Sequence, residues 1–121
     1  MNPVTFRPLI ASNLKGTYIG KGKILGKGVF ANCDFRKGEI VIKYDLKQLT
    51  HKEHHKLSRI EKNFVHFHKG KLFLYSIPER YVNHSNNPNT FQDLNKKCDI
   101  ALRKIKKGEE ITTDASKDDV L

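Results

Sequence analysis

An asparagine-rich segment, YVNHSNNPNTF at 81–91, holds side chains well suited to binding a small polar ligand. Asn83 offers amide donors and a carbonyl acceptor at one point, and His84 adds a ring and its main chain. Ser85 and His84 do not make a nucleophile–base pair, because adjacent side chains rarely point at each other and no G-x-S-x-G turn surrounds the serine. The segment therefore suits a zwitterionic or purine-bearing ligand better than it suits hydrolysis.

Five glycines lie between positions 16 and 28 and form a second candidate for ligand binding. Glycine lets a backbone approach a ligand closely and expose its N–H and C=O groups. The stretch lacks both GxGxxG before a helix and GxxxxGK[ST], which are the patterns of dinucleotide and phosphate sites. Taken alone, these glycines favour an ordinary hairpin.

Two groups of histidines raise the question of a metal site. His51 and His55 would share one face of a helix, but no carboxylate or cysteine obviously completes the ligand set. His66 and His68 alternate with apolar residues, which predicts that both face water on a strand. We therefore interpret the histidines as a solvated surface and expect no metal.

Length and composition predict one globular domain spanning residues 1–121. Hydrophobic content of 37% against 30% charged residues is enough for a modest core. No apolar run reaches the roughly 18 residues of a membrane helix, and the N-terminus lacks the apolar region of a secretory signal. Two cysteines are too few for a disulfide framework. We therefore expect an intracellular protein, cytoplasmic by default, with nuclear or host-chromatin targeting as the alternative.

The net charge of +10 is the strongest bulk property of the chain. An acidic partner such as nucleic acid would explain it. Only five of the 23 basic residues are arginine, however, and proteins that bind phosphate or bases usually rely on arginine. The charge therefore favours a lysine-rich soluble domain, with nucleic-acid binding left open.

The predicted elements are mostly short strands with one short helix. A capping box at Thr50 and Glu53 begins the helix, and apolar residues at helical spacing carry it to Phe64. A hairpin turning at Lys69-Gly70 follows the helix. The pairs Lys37-Gly38 and Lys107-Gly108 predict two further turns, each feeding a β-branched strand.

Three blocks of sequence together resemble the SET domain family of protein lysine methyltransferases. They are GKGVFANCDFRKGEIVI at 26–42, RYVNHSNNPNT at 80–90 and IALRKIKKGEEITTD at 100–114. Their order and spacing match that family, and the resemblance covers approximately residues 16–115. The resemblance implies short β-sheets with a knot-like C-terminal segment, S-adenosyl-L-methionine as the methyl donor, and a protein or peptide lysine as the acceptor.

The resemblance also assigns roles to particular residues. It implies backbone and side-chain contacts to the donor from Gly26, Lys27, Gly28, Val29, Asn83 and His84. Tyr75, Tyr81 and Phe30 are expected to line a narrow channel for the substrate lysine. The family binds its donor without a metal.

Two departures from the family pattern affect the expected activity. Ala115 stands where the family has its catalytic tyrosine, so no hydroxyl is expected to orient the amine there. Loss of one such group typically costs roughly 10²–10³ in rate. Asn86 stands where many relatives carry a zinc-binding cysteine, and no cysteine-rich tail follows. The resemblance therefore implies a compact form without zinc modules, in which a homodimer completes the substrate site. The alternative is an inactive donor- or peptide-binding module.

Overall fold

The computed structural model describes residues 16–117, in which short strands predominate. The strands are β1 (Thr17–Ile24), β2 (Lys27–Ala31), β3 (Ile40–Lys43), β4 (Lys47–Leu49), β5 (Val65–His68), β6 (Lys71–Leu74), β7 (Asn83–His84), β8 (Thr90–Asp93), β9 (Cys98–Ala101) and β10 (Thr112–Thr113). The helices are α1 (His51–Lys56) and α2 (Arg59–Lys62), with 3₁₀ turns at Glu79–Tyr81 and Ala115–Lys117. The mostly β class is confirmed, while residues 1–15 and 118–121 of the expected domain lie outside the described residues.

The strands form small sheets and not one continuous sheet. β1 and β2 make an antiparallel hairpin, and two three-stranded antiparallel sheets have the orders β3-β9-β8 and β4-β6-β5. β7 and β10 form a parallel pair that joins the asparagine-rich segment to the C-terminal part of the chain. The predicted hairpin between β5 and β6 is confirmed, with Lys69 and Gly70 both at positive φ in its turn.

The helical segment is divided, which corrects the expectation of one helix from Thr50 to Phe64. The capping box is present, because Glu53 N–H donates to the Thr50 hydroxyl and Thr50 N–H donates to the Glu53 carboxylate. α1 ends at Lys56, and the next residue, Leu57, has extended backbone. Ser58 caps α2 by accepting a hydrogen bond from Glu61 N–H. A serine that caps a helix favours extended backbone at its own position, which ends any helix that precedes it. The segment is therefore divided, although its apolar residues recur at helical spacing.

The two lysine–glycine turns lie at opposite ends of one antiparallel pairing, since Gly38 N–H donates to the Ala101 carbonyl and Gly108 N–H donates to the Ala31 carbonyl. Gly38 and Gly108 adopt φ values of 89° and 93°, a conformation that favours glycine. The strand-like segments before these turns pair through Phe35 and Ile105, whose N–H and C=O groups exchange hydrogen bonds of 2.8 and 2.9 Å. The similar sequences around the two turns therefore build a paired structural unit.

The core lies between these small sheets. Val29 and Ile111 are fully buried, and Ile111 N–H donates to the Val29 carbonyl at 2.7 Å. All four residues of β9 are buried, including Asp99, which accepts a hydrogen bond from the Tyr44 hydroxyl. A buried carboxylate needs such a partner. The core thus joins the first and last signature blocks directly.

The histidines of β5 were expected to face water, and this prediction is wrong. His68 is buried and its Nε2 lies 2.9 Å from the Tyr75 hydroxyl, while Phe67 is exposed. The centre of the His66 ring lies 4.4 Å from the centre of the Tyr75 ring. A buried tyrosine hydroxyl needs a hydrogen-bond partner, and histidine supplies one together with an apolar ring surface. The inner face of β5 is therefore the histidine face.

No helix between residues 16 and 117 is long and apolar enough to span a membrane.

Candidate functional site

The asparagine-rich segment lies against the C-terminal block. β7 pairs with β10, so that Asn83 lies opposite Thr112 and His84 opposite Thr113. Ser85 N–H extends this pairing by donating to the Thr113 carbonyl at 2.9 Å. The second and third signature blocks are therefore held together by main-chain hydrogen bonds.

Asn89 anchors this arrangement, although the sequence did not single it out. The residue is 2% exposed. Its Nδ2 donates to the Glu110 carbonyl at 2.8 Å, and its Oδ1 accepts from Thr112 N–H at 2.9 Å. The proline–asparagine pair that ends NHSNNPN was the available signal, because a buried amide can bond the backbone of a neighbouring segment. Asn89 thus fixes the relative position of the two blocks.

Asn83 lies where all three signature blocks meet. It is 6% exposed, and its Nδ2 donates to Glu110 Oε2 at 2.6 Å. A Cβ atom on Gly28 would lie 2.8 Å from that carboxylate oxygen and 3.1 Å from Asn83 Nδ2. Gly28 is therefore glycine because this pair of side chains packs directly on its backbone. The bond to Glu110 fixes the amide orientation of Asn83, and a second N–H donor and a carbonyl remain part of its capacity.

The His84 ring is oriented by two neighbours. Ala115 N–H donates to Nδ1 at 2.9 Å, and Nε2 lies 2.9 Å from Asn86 Oδ1. Since a backbone N–H only donates, Nδ1 is the acceptor and Nε2 carries the proton. His84 therefore holds Ala115 beside β7 through its side chain.

These residues border a cavity of about 570 Å³, which is within the size range of small-molecule sites. One group of lining residues comes from the end of β1 and the turn after it, namely Lys23, Ile24 and Leu25. Another comes from the second and third blocks and includes Asn83, His84, Thr113 and Ala115. A third surrounds β5 and β6 and includes Phe64, His66, Tyr75, Glu79 and Arg80. Among the described residues, the cavity thus brings Asn83, His84, Ala115 and Tyr75 together.

The first block contributes less directly than its sequence suggested. Gly26 lies in the turn between β1 and β2 with φ of 77°, next to the cavity-lining Leu25. Lys27 is exposed, with its ammonium group 5.4 Å from the centre of the Tyr81 ring. Val29 is fully buried in the core. On this side, the cavity wall is formed by Lys23, Ile24 and Leu25, which lie immediately before Gly26. The sequence did not single out these residues.

The three aromatic residues expected in a lysine channel have different environments. Tyr75 borders the cavity and its ring stacks on Tyr44, with the ring centres 5.9 Å apart. Tyr81 packs edge-on against Phe64 in the core. Phe30 stacks on Tyr18 on the outer hairpin. Of the three, Tyr75 is the one that lines this cavity.

Glu79 is a cavity residue with an unusual environment. It is 4% exposed, and its burial raises the pKa of the carboxyl above the ordinary value, although hydrogen bonds from Ser76 and Asp45 oppose the shift. A raised pKa in the folded state means that the folded protein binds this proton more tightly than the unfolded chain does. The contribution to stability is therefore complete below pH of about 4.5 and is lost as pH rises through the folded-state pKa.

A Glu79→Gln variant is expected to show this dependence. The wild-type protein should lose stability relative to the variant as pH rises from 4 to 8, because glutamine does not titrate. Thermal unfolding of both proteins across this range measures the difference in Tm. Titrations shared by the two proteins cancel in that difference. A difference that stays constant, or that favours the wild type at high pH, would contradict the assigned shift.

Residues 26–114 match the family model of the SET domain. This chain belongs to the SET domain family. Residues of the second and third signature blocks line its cavity. The first block lies next to the cavity, because it begins immediately after the lining residue Leu25.

Curated relatives of this SET domain include the histone-lysine N-methyltransferases 2D of Homo sapiens and Mus musculus. Each is 30% identical over an alignment 128 positions long, which covers 90% of this chain. The chain spans about 2% of the length of these relatives. Their similarity therefore concerns one domain of much larger proteins.

Solved structures show the same fold. A candidate histone methyltransferase of Plasmodium falciparum superposes with a TM-score of 0.64 at 23% identity, covering 83% of this chain and 92% of that one. An inhibitor-bound, humanized mutant of the Chaetomium thermophilum Polycomb Repressive Complex 2 gives a TM-score of 0.63 at 24% identity, covering 86% and 15% of the two chains. At these identities the likeness shows the SET-domain fold.

Proposed function

We propose that this SET domain transfers a methyl group from S-adenosyl-L-methionine to a lysine side chain of a protein, at a rate reduced by Ala115. The observation that carries the proposal is the cavity of about 570 Å³, at which Asn83, His84 and Ala115 lie together beside the Leu25–Gly26 turn. The names of the relatives, which describe histone-lysine methyltransferases, support the same reaction class.

The residues of the cavity fit a donor that is both polar and aromatic. The Asn83 amide, held by Glu110, provides a fixed hydrogen-bonding group for the amino-acid part of the donor. The main chain of β7 and the turn at Gly26 provide further N–H and C=O groups, while Ile24 and Leu25 provide apolar contacts. When bound, the donor supplies a methyl group on a positively charged sulfur.

The chain contributes mainly by holding groups in position. Methyl transfer requires a neutral amine, in-line approach and exclusion of water, so fixed geometry supplies much of the rate. The bond from Ala115 N–H to His84 fixes the segment at which the family has its tyrosine. Because alanine has no hydroxyl, this segment provides position without the hydrogen bond that would orient the amine.

The charge of the chain constrains the acceptor. A net charge of +10 repels strongly basic tails, especially at low ionic strength. We propose that the acceptor lysine lies in an acidic or mixed-charge protein surface. Methylation of matched acidic and basic peptides at two salt concentrations would distinguish these preferences.

Calorimetric titration with S-adenosyl-L-methionine tests the site. Asn83→Ala is expected to weaken binding about 10- to 100-fold, because a buried hydrogen-bonding group is worth about 1–3 kcal/mol. Asn87→Ala is the matched control, since Asn87 is exposed in the same segment. Equal affinities for the wild type and Asn83→Ala would place the donor elsewhere and refute this site.

A second candidate function is donor binding without turnover, which the alanine at position 115 favours. This function predicts the same calorimetric signal and the same effect of Asn83→Ala. It differs in predicting no methyl transfer, whichever residue occupies position 115.

A further inference from the structure

Two short basic segments of the chain have no part in the proposed methyl transfer. They are Arg36-Lys37 and RKIKK at 103–107, and together they hold six of the 23 basic residues. Short segments rich in lysine and arginine are typical of surfaces that bind nucleic acid. The antiparallel pairing of Phe35 with Ile105 brings the two segments together on the folded protein.

The pairing directs the basic side chains outward. Phe35 and Ile105 are 8% and 0% exposed, whereas the residues on either side of each are exposed. The antiparallel register places Arg36 opposite Lys104, and each lysine–glycine turn adds a lysine at one end of the pairing. We call these exposed cations the basic stripe, which consists of Arg36, Lys37, Lys104, Lys106 and Lys107.

The carboxylates near the basic stripe are bonded to the main chain. The hydrogen bonds run from Lys107 N–H to Asp34 at 2.8 Å, from Arg36 N–H to Glu39 at 2.6 Å and from Lys106 N–H to Glu109 at 2.8 Å. Glu109 also pairs with Arg103, which lies outside the stripe. Within residues 16–117, no side chain of the stripe forms an ion pair with a carboxylate. The cationic groups of the stripe are therefore available to an external anion.

The surface along the stripe is concave and highly charged. An open depression of about 610 Å³ is lined by Asp34, Phe35, Arg36, Lys37, Glu39 and Lys104. Among these lining residues Phe35 alone is apolar, and it is buried. Protein–protein interfaces usually have an apolar core, whereas protein–DNA interfaces are more polar and much more positively charged. The depression therefore favours a nucleic acid over an acidic protein segment.

The residue types of the stripe favour the phosphate backbone over the bases. Four of its five residues are lysine, which binds phosphate as a point charge, while arginine is the usual reader of guanine. Contacts to phosphate position a protein on nucleic acid but carry no sequence information. Cations that extend from one turn to the other also match a strand that carries a phosphate at every nucleotide.

We propose that the basic stripe binds the phosphate backbone of a nucleic acid without reading its sequence. This binding is separate from the proposed methyl transfer, because no stripe residue is among the described residues that border the cavity of about 570 Å³. Nucleic acid bound at the stripe would place the domain near proteins that occupy the same nucleic acid.

Fluorescence anisotropy with a labelled DNA duplex of mixed sequence tests the proposal, at salt concentrations from about 50 to 200 mM. For the wild type, the logarithm of the affinity should fall linearly with the logarithm of the salt concentration. The double variant Lys104→Gln/Lys106→Gln is expected to bind about tenfold more weakly at the lowest salt. Its salt slope should be smaller by about 2, because each lost phosphate contact removes about 1.

Lys52→Gln/Lys56→Gln is the matched control, since it removes the same charge from exposed positions on α1. It should keep the wild-type salt slope. Lys37→Gln/Lys107→Gln, which alters both ends of the stripe, should reduce the slope as the central pair does. Thermal unfolding checks that the variants fold, and their affinity for S-adenosyl-L-methionine should stay unchanged.

Two further ligands identify the partner. A single-stranded RNA, compared with the duplex, shows which nucleic acid the stripe prefers, and a second duplex of different sequence should bind equally well. A glutamate-rich peptide represents an acidic protein segment. The proposal is overturned if neither nucleic acid binds, if the stripe and control variants weaken binding equally, or if the peptide binds as tightly as nucleic acid and depends on the same lysines.

Discussion

Replacing Ala115 with tyrosine is expected to accelerate methyl transfer about 10²–10³-fold, the usual effect of one preorganised hydrogen-bonding group at a reacting centre. Ala115 borders the cavity and its N–H is held by His84, so the backbone at this position is already fixed. Tyr75 also borders the cavity, but its hydroxyl lies 2.9 Å from His68 Nε2 within the protein. A new hydroxyl at position 115 would therefore add a function that the present residues lack.

The measurement is transfer of a tritiated methyl group from S-adenosyl-L-methionine to acidic proteins, histones and whole-cell lysate. Ala115→Phe is the matched control, since it adds the ring without the hydroxyl and should remain as slow as the parent. Donor affinity should change little in either variant, because the proposed donor contacts come from Asn83 and the main chain. If Ala115→Tyr binds the donor but methylates no acceptor, the enzyme proposal fails and the binding-module candidate is supported.

Much of the fold could be predicted because local chemistry determines it. Gly38 and Gly108 supply positive φ at the predicted turns, and Thr50 with Glu53 forms the predicted capping box. The resemblance of three blocks to one family implied short β-sheets, but it gave no strand order. Such long-range pairing as Asn83 with Glu110, 27 residues apart, has no local signal in a single sequence.

The features that escaped prediction depend on contacts between distant segments. His68 looked like a surface residue because its neighbours on the strand are apolar, whereas its partner is the hydroxyl of Tyr75 on the following strand. Nothing in the sequence singled out Glu79, yet its carboxylate accepts a hydrogen bond from Asp45 N–H, 34 positions away. Polar residues are buried when a specific partner is available, and hydropathy patterns do not report partners.

Substitution by alanine is expected to have different effects at two glycines of the first hairpin, on the fold at Gly22 and on donor binding at Gly28. A Cβ atom on Gly22 would overlap the Lys27 carbonyl, which is backbone on the facing strand and cannot move without disrupting the hairpin. A Cβ atom on Gly28 would instead contact the ends of two side chains, Glu110 and Asn83, which can move. Gly28 does not adopt positive φ, so alanine introduces no left-handed backbone strain there.

A Gly28→Ala variant is therefore expected to keep its fold and lose donor affinity by roughly 10- to 100-fold, the effect of displacing one buried hydrogen-bonding amide. The added methyl group pushes apart the pair in which Asn83 Nδ2 and Glu110 Oε2 lie 2.6 Å from each other. Calorimetry with S-adenosyl-L-methionine measures the affinity, and thermal unfolding measures the fold. Gly22→Ala should show a marked loss of Tm as the contrasting control. A Gly28→Ala protein that binds the donor normally would mean that the geometry of Asn83 is not what holds it.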